Sequence, residues 1–190
     1  MYERKRQITK NKIMTAFMQL VQQKGLQTVR VTEIVNAAKI SRGTFYQYYD
    51  DKYAIIEEQQ KDLFQLIEEQ HRLFIDQPEE ELRKQLLDGK LVNLILDVLD
   101  DNDEIVEFLF KNVDGFMNSA GRFFEKINLK TLLKINPLVN VKRADIIAAV
   151  ISTALIKLIE LYISDDKTYS REIILKESRE LIRVNVLTIV

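Results

Sequence analysis

An all-α chain is predicted, on three observations. Glycine and proline number only 5 and 2 in 190 residues, too few to supply the turns that a set of short strands requires. Apolar residues recur at three- and four-residue spacing along most of the chain. Helix-start and helix-stop residues punctuate that pattern at short intervals. Together they predict a three-helix N-terminal module fused to a helical bundle, about nine helices in total. At 46% hydrophobic and 30% charged residues the chain can bury a core. It has no cysteine and one histidine, which excludes disulfide frameworks, thiolate zinc sites and multi-histidine metal sites. Neither a metal nor a cofactor is expected.

The first helix is predicted over residues 4–24. Ile13, Ala16, Phe17, Leu20 and Val21 fall on one stripe, and Gly25 stands where a left-handed cap ends a helix. Thr32 is the expected N-cap of a short second helix, 32–38, with Ile34, Val35 and Ala38 apolar. Ser41 caps a third, Arg42–Tyr49. Asp50 and Asp51 cap a long fourth helix reaching residue 75, whose stripe is Ile56, Leu63, Ile67 and Phe74, with Phe64 and His71 beside it. Pro78 followed by Glu79, Glu80 and Glu81 opens a fifth helix ending near Leu99, since proline and acids suit a helix start. Asp100-Asp101-Asn102-Asp103 is a turn. Residues 104–127 are helical but interrupted by Gly115 and Gly121, and a short helix over 129–135 precedes the break at Asn136-Pro137. An apolar helix over 142–163, a turn at Ser164-Asp165-Asp166 and a last helix from Tyr169 or Ser170 complete the chain. The alternating stretch from Ile182 to Val190 is the fraying end of that helix.

Charge divides the chain unevenly. Residues 1–53 hold ten Lys or Arg and four acids, a net +6, which leaves −7 on the remainder of a chain whose total is −1. A basic N-terminal third on an acidic body is the distribution of a small nucleic-acid-binding module joined to a second function. No apolar leader follows the basic N-terminus. The run from Ile146 to Ile163 is 18 residues long but carries Lys157 and Glu160, so a helix buried on both sides is expected rather than a membrane span. The protein is expected to be soluble and cytoplasmic.

Two short helices joined by a tight turn at Lys39–Ser41 form a helix-turn-helix layout, whose second helix lies in the major groove of duplex DNA. On that helix Phe45 and Tyr49 share one face, expected to pack on Ile34, Ala38 and Ile40. The opposite face centres on Gly43, Thr44 and Gln47, flanked by Tyr46 and Tyr48. It is short, polar and uncharged, and glycine lets the backbone approach closely. Gln47 can pair with adenine and Thr44 can meet a thymine methyl. Arg42, Lys52 and the tyrosine hydroxyls are placed for phosphates, which fix register.

The pattern Thr32-x-x-x-x-Ala37-Ala38-x-Ile40-Ser41-Arg42-Gly43-Thr44-Phe45-Tyr46-x-Tyr48-Tyr49-x-x-Lys52 resembles the N-terminal signature of the TetR family of bacterial transcriptional regulators. The resemblance covers residues 8–56. It implies a homodimeric, ligand-responsive regulator, usually a repressor, on a pseudo-palindromic operator in double-stranded DNA. The DNA-binding set it implies is Thr32, Arg42, Gly43, Thr44, Tyr46, Gln47, Tyr48 and Lys52, and Lys5 and Arg6 of the basic N-terminus are expected to join it. The chain departs from the family in one place: Lys39 stands where glycine is usual in the turn.

The resemblance further implies a division into a DNA-binding domain, 1–50, and an effector-binding and dimerisation domain, 51–190. Dimerisation is assigned to residues 142–188, where one face of the apolar helix meets its own core and the other the partner chain. A small-molecule effector of unknown identity is assigned to a pocket with His71, Phe74, Phe110, Phe116 and Tyr162 as wall residues. The alternative reading is a constitutive or activating regulator without an effector. An enzyme is not expected: the glycines form no phosphate-binding loop, and the acids at 100, 101, 103 and 104 lack calcium-loop spacing.

Overall fold

Sparse glycine and helical periodicity resolve into an all-helical chain. The computed structural model describes residues 2–164 and 168–186. Among them the helices are α1 (Tyr2–Lys24), α2 (Val31–Ala37), α3 (Arg42–Tyr46), α4 (Lys52–Ile75), α5 (Glu79–Leu87), α6 (Lys90–Asp101), α7 (Asp103–Asn112), α8 (Phe116–Ile135), α9 (Val141–Ile163) and α10 (Arg171–Val186). A single 3₁₀ turn, Leu26–Thr28, links α1 to α2.

The boundaries correct the sequence reading in four places. The expected fifth helix is two helices, because Gly89 takes a left-handed conformation, φ +77°, at the N-cap of α6. A Cβ built on Gly89 would lie 2.7 Å from Arg179 Cγ, so packing as well as φ selects glycine there. The expected break falls at 113–115, between the end of α7 at Asn112 and Gly115, φ +81°, the N-cap of α8, but Gly121 stays inside α8, which also absorbs the expected separate helix over 129–135. The third helix is shorter than expected, α3 stopping at Tyr46 with Gln47 as its C-cap. Thr32 is not an N-cap. Arg30 holds that position, and its N–H donates to the Glu33 carboxylate at 2.9 Å, one half of a capping box. Of the turn at Ser164-Asp165-Asp166, residues 165–167 lie outside the described residues. The alternating C-terminal stretch is helical as far as Val186, and 187–190 also lie outside.

The chain forms two compact units. The first comprises residues 1–62 and 108–114. Its core gathers Ile13, Phe17, Val21, Ile34, Val35, Phe45 and Ile55, all buried. Phe17 meets Phe108 edge-on with ring centroids 5.8 Å apart. The second comprises 63–107 and 115–190. There α8 and α9 lie side by side, with α10 on α9 and α5 and α6 against α10. Leu82, Leu96, Ile127, Ile135 and Ile174 form its centre. Four polar residues inside this core are paired across helices: Asn128 Nδ2 donates to Ser152 Oγ at 2.8 Å, and His71 Nε2 lies 2.8 Å from Thr131 Oγ1; the buried Ser178 Oγ of α10 has no hydrogen-bond partner among the described residues. Thr131 Oγ1 donates to the Ile127 carbonyl, so His71 Nε2–H is the donor in its own bond. By length and a mean hydropathy of 2.1, α9 could cross a membrane. Here its Ala144–Ala148–Ile151–Leu155–Ile159 face is buried, while Val141, Ile146 and Val150 are exposed.

A candidate nucleic-acid interface

The reading head is set by the burial of two residues four apart. Phe45 is fully buried and Tyr49 nearly so, their rings 5.8 Å apart, as the expected shared face requires. That burial turns Arg42, Gly43, Tyr46 and Gln47 outward to solvent, with Thr44 and Tyr48 half-buried. Tyr46 is 55% exposed, a large aromatic left in water beside a polar face. Ser41 starts α3, its Oγ accepting the Thr44 N–H at 2.9 Å. The two hydroxyls also share a hydrogen at 2.8 Å. Thr44 therefore presents its methyl more freely than its hydroxyl.

Gly43 is the informative position. A Cβ built there would meet nothing closer than Ser41 Oγ at 3.7 Å, ordinary contact distance. Its backbone is helical, so neither left-handed conformation nor packing within the protein calls for glycine. Glycine inside a helix costs about 0.5–1 kcal/mol relative to alanine. The fold offers no return for that cost. A surface docked closely on α3 would.

The turn before α3 holds Lys39 at φ +54°, so the departure noted in the sequence sits in the left-handed region. Its N–H donates to the Asn36 carbonyl at 3.2 Å, and that of Ile40 to the Val35 carbonyl at 3.0 Å. The turn forms with lysine in place, at a cost of about 1 kcal/mol.

Electrostatics around the head are positive and partly compensated. Arg4, Lys5, Arg6, Lys12, Arg30, Lys39 and Arg42 are exposed. Lys24 pairs with Glu33 at 2.5 Å, and that bond, with the Arg30 N–H, holds the Glu33 carboxyl below its usual range. Lys52 is bound differently from the sequence expectation. Its ammonium donates to the carbonyls of Leu26, Gln27 and Val29 at 2.8, 2.9 and 2.9 Å, and lies 5.1 Å from the Tyr53 ring centroid. All three of its hydrogens are used inside the protein. It can offer a nearby phosphate charge but no spare donor. Thr32, half-buried, lies within the first turn of α2.

Sequence reasoning missed one residue of this head. Glu58 on α4 accepts the Tyr49 hydroxyl at 2.5 Å through Oε2 and pairs with Lys10 of α1 through Oε1. Burial works to raise the Glu58 carboxyl, but the bonds from Lys10 and Tyr49 outweigh it and hold it below normal. Burial, with Glu58 second, pushes the Tyr49 hydroxyl well up.

The five residues expected to wall an effector pocket are dispersed. His71, Phe74 and Phe116 are buried in the second unit, where Phe116 stacks on Phe64, centroids 6.2 Å apart. Phe110 is half-buried in the first unit. His71 borders a groove of about 340 Å³ with Gln65, Arg72, Ile75 and Lys130. Tyr162 borders a separate cavity of about 610 Å³ with Asp100, Asp103, Val106, Tyr169 and Arg171. Its hydroxyl donates to Asp100 at 2.6 Å, and Arg171 pairs with Asp97 and Asp100. Burial of His71 and the nearby Lys130 ammonium push its pKa down to about 4, so it is neutral at pH 7.

Comparison with known proteins centres on the same head. Residues 13–58 match the family described as bacterial regulatory proteins, tetR family. Over 48 residues, 25% of this chain, it is 40% identical to an uncharacterized HTH-type transcriptional regulator, YxbF, of Bacillus subtilis (strain 168). The matched stretch spans 13% of that relative's length. The whole fold is similar to a putative TetR-family transcriptional regulator from Syntrophomonas wolfei str. Goettingen, with a TM-score of 0.70 over 94% of this chain and 95% of the other at 18% identity.

Proposed function

We propose that this chain is a TetR-family transcriptional regulator: a sequence-specific repressor that binds a pseudo-palindromic operator as a homodimer and releases it when a small molecule occupies the second unit. The observation that carries the DNA-reading part is the outward face of α3, where an exposed glycine that the protein's own packing does not require stands beside Gln47 and Tyr46. Gln47 reads a base edge, Gly43 lets the helix lie close, and Arg42, Lys5 and Arg6 meet phosphates. Thr32, Thr44, Tyr48 and Lys52 complete the contact set. A two-fold dimer presents two such helices to half-sites a helical turn or its multiple apart. Support for the dimer is the apolar pair Ile146 and Val150, four apart on one exposed face of α9, together with Ile173 and Val184 exposed on α10. On this reading the second face of α9 is a protein seam, and the protein is cytoplasmic, not membrane-bound.

The test is selection of duplexes from a random library by the full chain, followed by binding to the selected sequence and to random duplex at fixed salt. A symmetric selected site is expected. Gln47→Ala should relax one position in each half-site, by about 1–3 kcal/mol of discrimination. Equal binding to selected and random duplexes would remove the sequence-reading function. The effector part is tested by titrating small-molecule libraries with and without operator. Coupling is reciprocal, so a true effector must bind less tightly when operator is present.

A further inference from the structure

The recognition helix is too short to hold its own orientation. With five residues, α3 is far below the length at which a helix is stable alone, so its angle to the rest of the head is fixed by side chains. At its start the Ser41 cap fixes the first turn. In its middle Phe45 is the buried knob. Beyond its end the chain leaves helix at Gln47, and the next buried point is Tyr49. Gln47 and Tyr48 are thus bracketed by Phe45 and Tyr49, and their direction depends on whether Tyr49 is held.

We propose that Glu58 is the positioning residue of the reading head: one carboxylate that ties Tyr49, behind the recognition helix, to α4 and to Lys10 of α1. Oε2 accepts the Tyr49 hydroxyl at 2.5 Å, Oε1 pairs with Lys10, and the Lys10 ammonium lies 5.9 Å from the Tyr49 ring centroid. Two helices, α1 and α4, and the segment that follows α3 therefore converge on one side chain. The other charged groups facing it are Arg6, which favours its ionised form, and Asp62, whose carboxyl is raised by burial first and by Glu58 second. Glu58 has a second consequence. It cancels the charge of Lys10 next to a surface that attracts DNA, so it trades general affinity for a fixed orientation. The inference rests on the DNA-reading role proposed above and concerns a residue that touches no base.

Three full-length variants test it. Tyr49→Phe removes the hydroxyl and keeps the charges. Glu58→Ala removes the acceptor and the charge. Glu58→Gln removes the charge and keeps an acceptor. The ratio of affinities for selected and random duplex should fall about tenfold in Tyr49→Phe and Glu58→Ala, the worth of one charge-assisted hydrogen bond. In Glu58→Gln the ratio should stay within about threefold of the parent while both affinities rise, because a negative charge beside the phosphates is gone. Unchanged ratios in Tyr49→Phe and Glu58→Ala, with both affinities merely raised in the latter, would overturn the proposal and leave Glu58 a local charge. A second readout needs no DNA. Amide exchange at Gln47, Tyr48 and Tyr49, which bond to the Gly43 and Phe45 carbonyls, should quicken about tenfold in the same two variants while α1 amides keep their rates. Equal exchange in parent and variants would overturn the proposal even if the parent bound DNA normally. Failure of the parent to prefer any duplex would overturn the DNA-reading function alone.

Discussion

Replacing His71 by glutamine should remove a pH dependence of stability that the buried imidazole imposes on the second unit. His71 is 1% exposed and donates to Thr131 Oγ1 at 2.8 Å. Burial first, then the Lys130 charge, lower its pKa from 6.5 to about 4. The unfolded chain binds a proton near pH 6.5, whereas the folded chain resists it until about pH 4. Protonation therefore favours unfolding: the stability is fully present above pH 6.5 and is lost as pH falls toward 4. With those two values the loss is about 2 kcal/mol at pH 5 and about 3 kcal/mol at pH 4. Glutamine keeps a neutral donor for Thr131 and does not titrate, so the difference between parent and variant cancels the carboxylates common to both. The assay is urea unfolding at several pH values from 7.5 to 4.5, followed by far-ultraviolet circular dichroism, since the chain has no tryptophan. The parent should lose stability relative to His71→Gln by about 2 kcal/mol between pH 7.5 and 5. Curves that stay parallel within about 0.5 kcal/mol over that interval would mean that the imidazole is protonated in place, and would refute the burial argument.

Three further outcomes are expected. Gly43→Ala should leave the melting temperature unchanged or raise it, by up to about 1 kcal/mol of stability, while weakening binding to the selected duplex. A variant that lost stability instead would show that the fold needs this glycine. Lys52→Ala should cost about 2 kcal/mol of stability by freeing the carbonyls of Leu26, Gln27 and Val29, beyond any change in salt dependence of DNA binding, and unaltered thermal melts would exclude that anchoring role. Val150→Glu should place a charge beside Ile146 on the exposed apolar face of α9 and yield monomer in sedimentation at micromolar concentration, with operator binding weakened in step. A variant sedimenting like its parent would move the dimer seam elsewhere.

What could be read from the sequence was whatever is local. The buried pair Phe45 and Tyr49 follows from a four-residue spacing, and the Ser41 cap from a hydroxyl just before a helical stretch. Gly89 was hidden because it interrupts an apolar period that continues on both sides, and the Arg179 stem it accommodates lies 90 residues away in the chain. Thr32 looked like a cap by residue type, yet the first turn of α2 is satisfied from Glu33, which Lys24 holds from α1. Glu58 gave no signal at all. It is one acid among several on an amphipathic helix, and its partners are 9 and 48 positions away. The dispersed wall residues follow the same rule: large aromatics at helical spacing mark core, and which of them meet a cavity is decided by packing between distant helices.

Two residues of the reading head break local rules in opposite senses, and their positions make the breaks informative together. Lys39 occupies a left-handed turn where glycine would be free of strain. Gly43 occupies a helical position where almost any other residue would be more stable. Exchanging the preferences would relieve both costs, about 1 kcal/mol each, without disturbing a buried contact, since both residues are exposed. A fold selected only for stability would carry glycine first and a side chain second. The observed order puts a positive charge at the mouth of the turn and removes bulk from the outward face of α3. A polyanion bound close to that face makes use of both features, and local rules fail where a site is built.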